Sequence, residues 1–519
     1  MEAKRKQRRQ ATENSPRVYV SLLGLALIAL VAAPAARAIE SPPPETTTPG
    51  DPAALTSPDW RAHYHSAGNK PGARAGLLEG PSGGIWQRSQ LLGDPGGVRS
   101  ALGRLGISIA LVETSEVLGN LTGGAHQGFK YDGLATLDLQ VDSHRAFGWR
   151  GGTFNVSALE LHGRNLSAEN LLSLQTASGI QGDQALRLWE LWYQQSFWYR
   201  QIDFRLGLQS LDQEFMVSQY AGLFVNTMFG WPMVPSADLL SGGPAYPLAS
   251  LGLRVKAQPE GTPWTILAGV FDDNPSGVSP ISKADPQQLN AHGTSFRLGD
   301  GPLGILEVQY SRPAIGEMEY PGEAGILPGT YKLGFWYDFG HFADQQLGTD
   351  GLSLASPSSN GTAQLRAGNY SLYAVADQLV WRASPESSEG VGVFFRGMVA
   401  PADQNLISVS VNAGVTWRAP IPHREYDVLG LGMGWANVSG RAAALDRDTA
   451  LVQPGYPVRT SETFVELTYQ YQLVPWMQLQ PDLQYVFNPG GGIPNPQAAN
   501  ANETVGNELV VGMRTNISF

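Results

Sequence analysis

Hydrophobic residues recur at every second position over long stretches of this chain. In QIDFRLGLQ, Ile202, Phe204, Leu206 and Leu208 share one face; Gln201, Asp203, Arg205, Gly207 and Gln209 share the other. FVELTYQYQ sets Val465, Leu467, Tyr469 and Tyr471 against Glu466, Thr468, Gln470 and Gln472. WMQLQPDLQYVF sets Met477, Leu479, Leu483, Tyr485 and Phe487 against Gln478, Gln480, Asp482 and Gln484. YKLGFWYDF sets Tyr331, Leu333, Phe335, Tyr337 and Phe339 against Lys332, Gly334, Trp336 and Asp338. The chain ends on the same pattern, ELVVGMRTNISF, with Phe519 last. A period of two belongs to a β-strand with different surroundings on its two sides. Weaker alternation runs through 105–112, 134–142, 250–257, 305–310 and 406–418.

Several of these stretches run about 9–12 residues, longer than an ordinary soluble strand and long enough for a tilted strand to cross a bilayer. Between them lie Gly-, Pro-, Asn- and Ser-rich stretches such as FDDNPSGVSPISKADPQQLNAHG and HFADQQLGTDGLSLASPSSNGTAQ. Loops this long are rare in compact soluble domains and ordinary on the outer side of a membrane barrel. Aromatic residues gather at the stretch ends: Trp189, Trp192, Tyr193, Phe197, Trp198 and Tyr199 near one boundary, and Trp417, Trp435 and Trp476 near others. Such rings favour a lipid–water interface. Open strand edges would leave backbone groups unpaired in lipid, so the sheet must close. The expected fold is an all-β, transmembrane antiparallel β-barrel with long extracellular loops.

The alternation also assigns the lumen. With Ile202 and Phe204 toward lipid, Asp203 and Arg205 face inward. So do Glu190, Trp192 and Gln194, opposite Trp189, Leu191 and Tyr193. Arg254 and Lys256, Glu307, Trp336, Glu462, Glu466 and Gln470 complete the expected inner wall. Carboxylates accept from hydroxyls, guanidinium groups donate as a rigid fork and amides do both, so this wall suits a polyhydroxylated solute. Trp192 and Trp336 add flat apolar surfaces for sugar rings. The plainer reading is a solvated wall whose charges pair without selecting anything.

Composition narrows the class. The apolar share of 42% fits a barrel with one greasy face and a wet interior. The absence of cysteine excludes disulfides and thiolate chemistry. The chain starts with a basic segment, then a short apolar run from Leu22 to Ala33, then Ala36 and Ala38 in an A-x-A pattern. That is a secretory signal peptide over 1–38, too short to span as a helix. Residues 39–90 form a Pro/Gly-rich extension, and the organised barrel occupies 91–519. Removing the seven basic and two acidic residues up to Ala38 from totals of 35 and 46 leaves a net charge of −16. A nucleic-acid partner calls for a basic surface and is not expected. No G-x-S-x-G elbow or H-E-x-x-H motif occurs. His63 and His65 read as loop residues rather than metal ligands. No enzyme, metal or cofactor is expected.

LLGDPGGVRSALGRLGISIAL, then TSEVLGNLTGGAHQG, then GWRGGTFNVSAL resemble the carbohydrate-selective porin family, the OprB-like porins of Gram-negative bacteria. LWELWYQQSF with DFRLGLQSLDQEF, PSADLLSGGPAYPLASLGLRVKA, VADQLVW and the terminal strand continue the resemblance in order across 91–519. It implies a single 16-stranded outer-membrane barrel that passes sugars such as glucose by diffusion, often as a homotrimer. It also implies a constriction lined by arginine and glutamate, carried here to Glu190, Asp203, Arg205 and Arg254. Arg205 is the leading candidate, with Asp203 as its expected partner and Glu190 facing the pair. Phe519 matches the terminal aromatic residue offered to the barrel-assembly machinery. The 39–90 extension is longer than the family pattern. The competing classes are a general porin, a plugged structural or adhesive barrel with 39–90 as the plug, and a barrel hydrolase.

Overall fold

The computed structural model describes residues 84–198, 200–312, 327–384, 387–500 and 502–519. The signal peptide, most of the extension, His63, His65 and Tyr199 lie outside them.

The alternating stretches form sixteen antiparallel strands in one closed barrel. They are β1 (Ile107–Thr122), β2 (Gly128–Asp142), β3 (Gly152–Gly163), β4 (Ala185–Phe197), β5 (Ile202–Gln209) and β6 (Ser250–Ala257). Then come β7 (Trp264–Asp272), β8 (Pro302–Arg312), β9 (Gly329–Gly348), β10 (Ala363–Arg382) and β11 (Gly390–Val399). The last are β12 (Ile407–Arg418), β13 (Val428–Val438), β14 (Ser461–Val474), β15 (Met477–Phe487) and β16 (Glu508–Ser518). Each strand pairs with its sequence neighbours, and β1 pairs with β16, from Val112 opposite Ser518 to Leu118 opposite Gly512. Closure leaves no edge, as a bilayer requires.

The outward face follows the alternation. Leu206, Leu333, Phe339, Leu467 and Leu483 are exposed, while Asp203, Arg205, Asp338, Glu466 and Gln484 on the same strands are buried. Connections 143–151, 198–201 and 475–476 lie at the end that carries the start of β1 and Phe519; 164–184, 210–249, 273–301 and 439–460 lie at the other. In such barrels the short turns face the periplasm, which puts the start of β1 and Phe519 there.

Three expectations fail locally. Trp189 is not an interfacial ring: Ser157 pairs with Glu190 and Ala158 with Leu188, so Trp189 sits in a bulge. The extra residue turns it inward, where it is 1% exposed and packs with Leu134, Leu159 and Leu161. Leu208 joins that same cluster and is buried. The presumed loop at His341 is still strand, since β9 runs to Gly348.

The larger departure is inside. The expected wet interior is instead occupied by the β5–β6 connection, which turns back into the barrel. Its Phe215, Leu223, Phe224, Met228, Phe229, Trp231 and Val234 form an apolar core with Phe271, Ile305, Tyr373, Phe394 and Phe464 of the wall. The wall makes room with glycine. In VLGLGMGWANV, Gly430, Gly432 and Gly434 point inward while Leu429, Leu431 and Met433 point out. A Cβ at Gly430 would stand 2.5 Å from Leu223, and one at Gly432 2.7 Å from Phe229. Phe224 and Phe229 stack on each other at 4.4 Å over this shallow wall. The β3–β4 connection also folds in, and Leu166, Leu171 and Ala177 pack with Val225 against Leu118 and Val510.

Candidate functional site

The inward charges divide into two groups with different work. The first group holds the inserted segment. A chain entering the barrel carries backbone N–H groups that must find acceptors. Glu466 accepts from the Val225 and Asn226 amides at 2.6 and 3.0 Å. Glu462 accepts from Leu174 and Gln175 at 2.8 and 2.7 Å. Glu307 accepts from the Met216 amide at 2.8 Å and the Tyr373 hydroxyl at 2.9 Å. Asp377 accepts from the Ser218 hydroxyl and the Gln219 amide. Arg396 works in the opposite sense, donating to the carbonyls of Met216, Met228, Phe229 and Gly230. Glu307 and Glu466 therefore face inward as expected, but they bind backbone rather than line an open path. Trp336 is buried in the apolar core and offers no free face. Gln470 is buried as well, with its amide donating to Gln478 at 3.1 Å.

The second group is built on β4, β5 and β6. Successive strands put Gln194 opposite Arg205, and Arg205 opposite Arg254, on one level of the wall. Both guanidinium groups converge on Glu214, at the end of the short 3-10 turn Leu211–Gln213 that opens the inserted segment. Arg205 Nη1 lies 2.8 Å from Glu214 Oε1, and Arg254 Nη2 donates to the same oxygen at 2.6 Å. Arg254 Nε pairs with Glu214 Oε2. The Gln194 side-chain oxygen Oε1 accepts from Arg205 Nε and Nη2 at 3.1 and 2.9 Å, and from Arg254 Nη2 at 3.0 Å. The Arg205 guanidinium lies over the Trp192 indole, its Cζ 4.0 Å from the ring centroid, an arrangement that strengthens away from water.

Around this lattice, Asp203 and Lys256 stand opposite each other on the inner face. Glu190 accepts from the Ser210 amide at 3.0 Å and the Trp192 indole N–H at 3.1 Å. Burial alone would raise the Glu214 carboxyl, but Arg205, Arg254 and Lys256 outweigh it and hold it at about 2. The group carries three basic side chains, Arg205, Arg254 and Lys256, beside the acidic Glu190, Asp203 and Glu214, with Asp212 next to Glu190 across Ser210.

The structure thus gathers Glu190, Trp192, Gln194, Asp203, Arg205, Arg254 and Lys256 at one level of the barrel. It changes their pairing. Arg205 is held by Glu214, not by Asp203, and Glu190 braces the start of the inserted segment. Trp192 presents its face to Arg205 instead of to a sugar ring. Glu214 is the residue that strand parity misses. It lies in a connection, where no alternation assigns a face, although it belongs to the DFRLGLQSLDQEF motif. Phe519 lies outside this group, its amide donating to the Leu111 carbonyl at 2.9 Å and its carbonyl accepting from Arg99.

The sequence profile of the carbohydrate-selective porin, OprB family, matches residues 126–519. Porin B of Pseudomonas aeruginosa is 26% identical over 457 residues, which span 83% of this chain and 91% of that protein. A putative porin of Acinetobacter baylyi, QuiX, is 25% identical over 428 residues, 78% of this chain and 89% of its own. Among solved structures, the high-pH structure of Pseudomonas putida OprB aligns with a TM-score of 0.71 at 22% identity. It covers 84% of this chain and 100% of that one, a likeness of fold.

Proposed function

This chain belongs to the carbohydrate-selective porin, OprB family, and on that premise we propose that the Arg205–Glu214–Arg254 lattice selects neutral monosaccharides such as glucose. The protein is an outer-membrane β-barrel through which sugars diffuse, and its family and fold are those of a channel rather than an enzyme. The observation that carries the proposal is the pairing of both arginines with one carboxylate from the inserted segment. A guanidinium held on one side by a carboxylate and on its face by an indole is fixed in direction. One hydrogen on each terminal nitrogen of Arg205 is left to donate to a solute hydroxyl. Nearby charges of both signs suit a neutral polyhydroxylated solute better than an ion. Transport is passive, so the solute is held weakly enough to leave.

Three further points belong to the same proposal. Cleavage follows Ala38 and leaves 39–90 as a periplasmic extension. Phe519 is read by the barrel-assembly machinery. The barrels assemble as trimers.

The test is uptake by vesicles holding the purified full chain. Labelled glucose should enter faster than nonsugar solutes of matched size. Equal rates would make the protein a general porin, and no conductance in single-channel records would make it a plugged barrel.

A further inference from the structure

On an acidic protein, one sector of the periplasmic rim is basic and aromatic. Arg104 precedes β1, Arg145 and Arg150 lie in the β2–β3 connection, and Arg200 lies in the β4–β5 connection. All are exposed, and none has an ion-pair partner among the described residues. At the opposite rim three arginines do have one: Arg164 pairs with Glu169, Arg297 with Asp300 and Arg459 with Asp446.

The connections that carry these arginines touch. The Asp142 amide donates to the Gly106 carbonyl at 2.8 Å, and a Cβ at Gly106 would stand 2.7 Å from the Arg145 Cβ. The Ser196 amide donates to the Gly151 carbonyl at 2.8 Å, and the Gln195 side chain to the Arg150 carbonyl at 3.0 Å. Asp142 caps the turn that carries Arg145, one of its oxygens accepting from the amides of His144 and Arg145 at 2.8 and 3.0 Å, and the four arginines outnumber it.

Among the arginines stand Phe147, Trp149, Phe197 and Trp198; the two tryptophans are 60% and 68% exposed. Directly inside this row, the outward Phe154, Leu191, Phe204 and Leu206 begin the lipid-facing belt. The rings therefore lie at the boundary of acyl chains and headgroups, with unpaired guanidinium groups just beyond them. Aromatic residues prefer that boundary, and an arginine fork matches the two free oxygens of a phosphate diester.

We propose that Arg104, Arg145, Arg150 and Arg200, with Trp149 and Trp198, form a binding site for the anionic headgroup of a glycerophospholipid in the periplasmic leaflet. The site is separate from the sugar path, since its side chains face out and its level is the rim. Its attraction has the range of a surface charge and is screened by salt.

The experiment is native mass spectrometry of the full chain in mild detergent, with added phosphatidylglycerol or phosphatidylcholine of identical acyl chains. Wild type should retain phosphatidylglycerol in excess, and high salt should remove the excess. R150Q and R200Q should each weaken that retention about fivefold, and R145Q/R150Q/R200Q should abolish the preference. R164Q, at the opposite rim, should leave it unchanged. Heat-dependent gel mobility verifies that each variant is folded, and the wild-type comparison does not depend on any variant. Equal retention of the two lipids by wild type would overturn the proposal. So would an undiminished preference in the folded triple variant. Loss of self-association in that variant, without any lipid preference in wild type, would make the row a contact between copies and overturn it too.

Discussion

Arg205 on β5 and Glu214 on the inserted segment meet at 2.8 Å, joining the barrel wall to the chain that crosses its lumen. The contact does two things. It fixes the direction of the guanidinium proposed to meet the solute, and it fixes the head of a segment whose far side is held by Glu307, Asp377 and Glu466. On the proposed function, selectivity and loop position share one ion pair.

Replacing Arg205 by alanine removes the guanidinium but keeps Arg254 on Glu214. The ratio of glucose to size-matched nonsugar uptake should fall about fivefold, the loss of one charged hydrogen bond worth ~1 kcal/mol in a partly wet site. Ion conductance should change as well. A changed conductance with an unchanged ratio would make Arg205 a pore charge and not a sugar contact.

Glu214 ties this lattice to pH. Its folded value of about 2 lies below the ordinary 4.5. A lowered acid contributes stability that is full above the unfolded value and is lost as pH falls toward the folded one. The difference in unfolding temperature between wild type and E214Q should thus be constant from pH 8 to pH 5. It should shrink below about pH 4.5 and vanish near pH 2. A difference that fades between pH 8 and pH 6 would mean that Glu214 is not held by the two arginines.

Glu466 is an anchor and not a lumenal charge. E466A strands the amides of Val225 and Asn226, at ~1–3 kcal/mol for each buried donor left unmade. Heat-dependent gel mobility should show unfolding at a lower temperature, and single-channel records should become noisier as the segment loosens. A change in ion selectivity alone, with the unfolding temperature kept, would return Glu466 to the pore wall.

The outer face answers to lipid. L467R places a charge on the exposed side of β14 and should cost ~2–4 kcal/mol near the bilayer midplane, reducing the yield of assembled barrel. Parity alone suggests that arginine at the adjacent inward Thr468 is harmless. The structure makes it harmful, because Thr468 is buried and receives the Gln480 amide, which also reaches the Leu223 carbonyl. Equal assembly of L467R and wild type in a gel-shift assay would place Leu467 away from lipid.

Strand positions were legible because the pleat is local: each residue's face follows from its neighbour's. FVELTYQYQ and WMQLQPDLQYVF lie within β14 and at β15 with the predicted faces, and the inward direction of Asp203, Arg205 and Arg254 follows likewise. Parity broke where the backbone broke it. One unpaired residue at Trp189 inverted the faces of the first half of β4. The glycines of VLGLGMGWANV read as ordinary alternation, yet their purpose lay in Phe224 and Phe229, on a segment with no period to announce where it goes.

The sequence by itself determined an exported chain of long two-faced strands, hence a closed membrane barrel, because backbone pairing and lipid exposure are settled residue by residue. Only the tertiary structure decided who holds Arg205 and what Glu466 is for. Glu466 meets Val225 across 241 positions, and Glu214 reaches its arginines from a connection without periodicity. Closing the ring sets such distant groups side by side, and the need to satisfy buried amides and charges then chooses their partners.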